Sequence, residues 1–118
     1  MGQEPTVGLT VRWSLAGAPD GVEETLRDYV ATSSHARFTG MGGLRFKTWR
    51  MVPGEWFEGC YVFNTPEARD LFLAEFARGA ADSPGSRITG APPVLMEPCE
   101  IVAVAEGAEG FLAAPTYP

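Results

Sequence analysis

The chain has 118 residues, 45% of them hydrophobic and 20% charged, which is the size of one domain. Nine basic against fifteen acidic residues leave a net charge of −6, which excludes a nucleic-acid binder that tracks phosphates with a basic face. Two cysteines, Cys60 and Cys99, supply neither a disulfide scaffold nor the ligand spacing of a zinc site.

The first eight residues hold neither the basic segment nor the apolar stretch of a signal peptide. Met1-Gly2-Gln3-Glu4-Pro5-Thr6 meets the myristoylation pattern, but that pattern is permissive enough to be met by chance. The longest plain apolar run, residues 101–105, is far too short to span a membrane. Lys47 stands alone beside eight arginines, and with the Gly and Pro load this points to a GC-rich bacterial source. The expectation is a soluble, cytoplasmic protein with no membrane or nucleic-acid partner.

Residues 6–14 alternate, with Val7, Leu9, Val11 and Trp13 on one side and Gly8, Thr10, Arg12 and Ser14 on the other. That is a half-buried strand. Pro19-Asp20-Gly21 then opens a helix, with Asp20 as its cap and Glu23 completing a capping box. Val22, Leu26, Tyr29 and Val30 share one apolar face, and the helix is expected to fade near Thr32-Ser33-Ser34. Gly40, Gly42 and Gly43 punctuate the loop that follows.

Residues 44–52 and 56–64 form a hairpin around Pro53-Gly54. Thr65-Pro66-Glu67 starts a second helix with a capping hydroxyl, a proline in the first turn and an acid beside it. Its expected buried stripe is Ala68, Leu71, Phe72 and Phe76; Arg78 complements its carboxyl end and Gly79 stops it. Residues 81–90 read as a loop carrying a Ser83-Pro84-Gly85 turn. A last strand lies within residues 94–104, bent at Pro98, so that residues 1–106 make the domain and 107–118 a tail. The order β-α-β-β-α-β is the ferredoxin-like α+β plan, four antiparallel strands with two helices on one face.

A two-residue turn flanked by Val52 and Glu55 would put Leu44, Phe46, Thr48 and Arg50 on the core face with Phe57, Gly59, Tyr61 and Phe63. The opposite face would then carry Arg45, Lys47, Trp49, Met51, Trp56, Glu58, Cys60 and Val62, too apolar a set to leave wet. A second copy of the sheet is the expected cover, giving a homodimeric α+β barrel. A register slip of one residue exchanges these faces and carries Lys47 and Trp49 into the core-side pocket. The sequence leaves both registers open.

Gly43-Leu44-Arg45-Phe46-Lys47-Thr48-Trp49, then Gly59, Tyr61-Val62-Phe63 and the Thr65/Glu67/Ala68 helix start resemble the YdhR-type proteins, a family labelled monooxygenases within the dimeric α+β barrel superfamily. Only residues 43–68 match closely, and Met41-Gly42 departs from the proline–glycine usual there. The resemblance implies the barrel fold, a homodimer and oxygen chemistry on a small aromatic molecule. Because that label rests largely on fold analogy, it speaks for the fold more than for the reaction.

The chemistry-bearing residues are few. His35 is the one histidine, a general base at the pocket mouth or, equally, a helix-end histidine facing the dipole. One histidine and two distant cysteines give no metal site, Gly40-Met41-Gly42-Gly43 precedes a strand rather than a phosphate-binding helix, and no flavin or nicotinamide fingerprint is present. What remains is cofactor-free oxygenation of an aromatic, polyketide-like substrate, or a related cyclisation, in an apolar pocket. The candidate walls are Trp13, Phe46, Phe57, Tyr61 and Phe72, with Trp49 joining them in the slipped register. Tyr61, Arg50, Thr48 and His35 are the candidate polar groups, with Tyr61 and His35 as the catalytic pair. A non-catalytic ligand binder or dimeric accessory protein on the same fold is the alternative.

Overall fold

The computed structural model describes residues 5–118, so most of the myristoylation pattern lies outside the described residues. The strands are β1 (Val7–Ser14), β2 (Leu44–Val52), β3 (Trp56–Phe63) and β4 (Leu95–Glu100), paired antiparallel in the order β2-β3-β1-β4. The helices are α1 (Val22–Tyr29), α2 (His35–Phe38), α3 (Pro66–Arg78) and α4 (Pro84–Thr89). This is the ferredoxin-like α+β arrangement expected from the element order. No helix among the described residues is long and apolar enough to cross a membrane.

The alternation of β1 builds the core as read: Val7, Leu9, Val11 and Trp13 are buried, and Leu15 continues the set. These side chains meet Val22 and Leu26 of α1, Phe38 of α2 and the inner residues Phe57, Tyr61 and Phe63 of β3. Pro98 sits in β4 opposite Leu9, tolerated because β4 is an edge strand that needs only one set of partners.

Several helix boundaries differ from the expectation. Asp20 does not cap α1; Gly21 does, at φ +78°, and Glu23 instead accepts a hydrogen bond from the Gly54 amide at 2.9 Å. The capping box loses to a tertiary contact between α1 and the hairpin turn. Helical backbone does not fade at Ser33 either. It passes through a π-turn, Val30–Ser34, and runs on as α2 until Phe38 is buried. Burial of Phe38 and Ser34 overrides the weak propensity of the Thr-Ser-Ser run.

In α3 the predicted cap holds, with the Thr65 hydroxyl accepting from the Ala68 amide at 3.1 Å. Leu71, however, is 69% exposed, because the packed stripe runs through Ala68, Phe72, Leu73 and Phe76. Residues 81–90 are not a loop. Ser83-Pro84 repeats the Thr65-Pro66 device, a capping hydroxyl before a first-turn proline, and starts α4, which ends at Gly90 with φ +86°.

The most consequential correction concerns β2. Pro53-Gly54 forms a turn with Gly54 at φ +77°, closed by a 2.9 Å bond from the Glu55 amide to the Val52 carbonyl. Proline second and glycine third is the type II pattern, whose twist does not match a two-residue hairpin. Glu55 is therefore an extra loop residue, and Val52 pairs with Trp56. Lys47, Trp49 and Met51 face the core opposite Tyr61, Gly59 and Phe57, while Phe46, Thr48 and Arg50 point to the outer face. Leu44 stays on the core side because the register shifts between Leu44 and Phe46, leaving Arg45 as a bulge.

Candidate functional site

The corrected register places an aromatic cleft between the inner sheet face and the helices. Its walls include Trp13, Phe38, Trp49, Phe57, Tyr61, Phe72 and Phe76. The cleft measures about 70 Å³, the room of about five waters or one small ring. Tyr61 is its central wall. Its ring lies 4.9 Å from Phe72 and 5.6 Å from Phe38 between centroids, and it stacks on Phe63 at 5.9 Å. Burial pushes the Tyr61 phenol up from its ordinary ionisation range, so it stays protonated and able to donate.

Lys47 enters this cleft from β2, paired in register with Tyr61. Its Nζ lies 3.6 Å from the centre of the Phe38 ring, 4.4 Å from Tyr61 and 4.5 Å from Trp49. Gly59 provides the space beneath it, since a Cβ there would stand 3.0 Å from the Lys47 Cε and 3.2 Å from the Tyr61 Cε1. Among the described residues, Lys47 has no ion pair and no hydrogen-bonding partner for its Nζ. Burial, reinforced by the nearby positive charge of Arg37, holds its pKa well below the ordinary lysine value. Ring faces attract a cation by about 0.5–2 kcal/mol each. Here the burial cost is the larger effect on the direction of the shift.

The rest of the wall is fixed by hydrogen bonds. The Trp49 indole donates to the buried Ser34 hydroxyl at 3.1 Å, which ties β2 to the π-turn. Trp13 donates to Ser86 at 3.0 Å, and Ser86 donates in turn to the Ala80 carbonyl at 2.6 Å. Gly85 lets α4 approach, because a Cβ there would stand 2.6 Å from the Trp13 ring. Among the described residues no aspartate or glutamate lines the cleft; Arg37 and Lys47 are its charged members.

The site residues expected from sequence therefore divide into two groups. Trp13, Trp49, Phe57, Tyr61 and Phe72 converge on the inner cleft. His35, Phe46, Thr48 and Arg50 instead border an outer groove of about 710 Å³, which Phe38, Lys47 and Trp49 also line and which is roofed by tail residues including Phe111, Leu112 and Tyr117. The His35 ring packs on Trp49 with centroids 5.8 Å apart, but His35 does not line the cleft with Tyr61. Phe46 meets Phe111 at 5.4 Å. The tail has no regular secondary structure, and Phe111, Leu112 and Tyr117 remain 60–65% exposed, so it walls the groove less firmly than strands and helices wall the cleft.

Arg50 belongs to a separate cluster on the outer sheet face. Glu58 is fully buried and accepts from Arg12 Nε at 2.8 Å and Arg50 Nε at 2.7 Å. Trp56 covers both guanidinium groups, its ring centre 4.1 Å from the Arg12 Cζ and 5.3 Å from that of Arg50. Burial alone would raise the Glu58 pKa, but the two arginines outweigh it and hold the carboxyl below its ordinary value. Burial also pushes up the Cys60 thiol, which donates to Glu58 at 3.5 Å, and no reactive thiolate results. Among the described residues no three His, Cys, Asp or Glu side chains are grouped as metal ligands.

Phe38, Gly59 and Lys47 are the cleft residues that sequence patterning misplaced or passed over. Only the possible one-residue slip signalled the inward position of Lys47.

No protein-family model matches this chain, and no curated protein matches it. Among solved structures, the NE2512 protein of unknown function from Nitrosomonas europaea is 22% identical, with a TM-score of 0.60 over 91% of this chain and 99% of its own. At that identity the likeness shows the fold alone. A putative antibiotic biosynthesis monooxygenase from Chloroflexus aurantiacus J-10-fl is 17% identical over 89% of this chain and 99% of its own. Its TM-score of 0.41 is too low for functional comparison.

Proposed function

We propose that the protein is a cofactor-independent monooxygenase, or a related cyclase, that binds an aromatic small molecule in the inner cleft. The observation that carries this reading is the convergence of a buried tyrosine and a lysine, without an ion pair among the described residues, on a cleft walled largely by aromatic rings. The YdhR-like motif agrees with it, since its Lys47, Trp49, Gly59 and Tyr61 all lie along this one face.

In this scheme an electron-rich phenol loses its proton, and the anion itself passes an electron to oxygen. One oxygen atom stays on the substrate, and the other leaves as water with two hydrogens that the oxidised substrate gives up. Tyr61 donates a hydrogen bond to the substrate oxygen, and the aromatic walls exclude water from the reactive anion. Larger, polyketide-like substrates require α3 to move outward.

The reading includes a homodimer through the outer sheet face. Trp49 and Met51, turned inward by the observed register, no longer support it; half-buried Phe46, Val52, Trp56 and Cys60 still do. Oxygen uptake with a panel of hydroquinones and anthrones tests the activity. Uptake above the protein-free rate that falls at least tenfold in Tyr61→Phe is expected. No uptake with any member of the panel would overturn it.

A second reading, a ligand binder without turnover, is favoured by the position of His35 outside the cleft. It predicts that hydroquinones raise the melting temperature without consuming oxygen.

A further inference from the structure

We propose that Lys47 is the proton acceptor and anion anchor of the inner cleft, and that its ligand is a single-ring phenol. The inference rests on the cleft being the ligand site, as read above, but not on any reaction with oxygen.

Three structural observations lead to it. First, the Lys47 Nζ is held over the faces of Phe38, Tyr61 and Trp49, in van der Waals to cation–π range, without a carboxylate partner among the described residues. A half-buried amine held among ring faces, in a chain of net charge −6, would ordinarily be paired with one of its fifteen acids. Here no described carboxylate stands beside it, and the ligand supplies the anion. Second, Gly59 keeps the site open, because any side chain there would press on the Lys47 stem. Third, the inner cleft, at about 70 Å³, has room for one ring beside Lys47, which also lines the outer groove of about 710 Å³.

The chemistry is a single proton transfer. The lone pair on neutral Lys47 Nζ takes the phenol hydrogen; the O–H bond breaks, an N–H bond forms, and an ammonium–phenolate pair remains. The pair is neutral overall, so it suits an aromatic-walled cleft better than either ion alone. The ammonium lies against three ring faces, and Tyr61 remains protonated to donate to the phenolate oxygen. The titratable groups around Lys47 are Arg37 from the helical segment, Tyr29 at the end of α1, and Tyr61 and Cys60 from β3. Burial and Arg37 both favour the neutral amine before the ligand arrives.

4-Nitrophenol tests this without turnover, because its absorption distinguishes phenol from phenolate. Binding is measured on the full chain by calorimetry in two buffers of different ionisation enthalpy, at a pH where the free ligand is ionised. The wild type is expected to take up close to one proton per phenolate bound. Lys47→Arg, always charged, keeps binding but takes up none. Lys47→Met binds at least tenfold more weakly, while its circular dichroism shows the fold intact. Wild-type binding without proton uptake, equally tight binding by Lys47→Met, or no binding of 4-nitrophenol would each overturn the proposal. Proton uptake on binding with no oxygen consumed from hydroquinones separates this role from the monooxygenase reading. Oxygen consumption with no proton uptake sinks the role of Lys47 and leaves the enzyme.

Discussion

Lys47 and Tyr61 are directly opposed in the β2–β3 ladder, and the lysine nitrogen lies 4.4 Å from the centre of the tyrosine ring. Both polar heads belong to strands whose other inward residues are apolar or aromatic. Sheet geometry therefore brings an amine and a hydrogen-bond donor together on one face. The type II turn at Pro53-Gly54 produces this, since without the extra loop residue Lys47 would face the other side.

Lys47 should weaken the fold at neutral pH. Its folded pKa lies below its unfolded one, so between those two values the unfolded chain binds more protons and stability rises with pH. Lys47→Met keeps the length of the side chain and adds sulfur–aromatic contacts. It should raise the melting temperature at pH 7 by about 4 °C, on the order of 1 kcal/mol, and flatten the rise toward alkaline pH. Thermal scans from pH 7 to 11 check this.

Gly59→Ala should separate the site from the fold. Its Cβ would stand 3.0 Å from the Lys47 Cε, so the lysine stem, the more flexible neighbour, must give. Overpacking costs about 1–3 kcal/mol in a rigid core, and the lower part of that range applies where a flexible chain end moves. Ligand affinity should fall about tenfold, the equivalent of about 1.4 kcal/mol. Calorimetry with 4-nitrophenol and a denaturation curve measure the two effects.

Glu58 carries the acid side of the stability profile. With its folded pKa held below the unfolded one, its contribution is complete above the ordinary carboxylate range and is lost as pH falls through the folded value. Glu58→Gln should cost about 2–3 kcal/mol at pH 7, as expected for hydrogen bonds between charged groups, and should reduce the acid slope. The arginines are 33% and 55% exposed, which keeps the loss below that of a fully buried triad. Urea denaturation at pH 7 and pH 3 checks it.

The outer face should self-associate. Light scattering at micromolar concentration is expected to give about 25 kDa, twice the 12.7 kDa chain. Replacing Val52 and Trp56 by Glu and Arg should yield the monomer. A wild-type monomer at that concentration removes the dimer from the account.

The fold was legible in the sequence because its signals are local. The alternation of residues 7–13, the Thr65-Pro66 cap and the hairpin turn each declare an element within a few residues. Register was not legible. It depends on whether Pro53-Gly54 closes a two- or three-residue loop, and one residue of difference inverts every β2 side chain from Phe46 to Val52. The candidate site inherited that uncertainty. Tyr61, Phe57, Phe72 and Trp13 face the inner cleft from β3, α3 and β1, whereas Phe46, Thr48 and Arg50 border the outer groove and Lys47 lines both. His35 missed the cleft because the helix continues through the π-turn and sets its ring against the outer side of Trp49. The Ser83-Pro84 start was legible by the same rule that located Thr65-Pro66, but the adjacent glycine read as a turn.

A crystal structure with bound 4-nitrophenol or a substituted hydroquinone tests the central claim most directly. The account predicts the ring between Tyr61 and Trp49, with its oxygen within hydrogen-bonding distance of the Lys47 Nζ. Density for the ring in the outer groove, between His35 and the Phe111 tail, would contradict it.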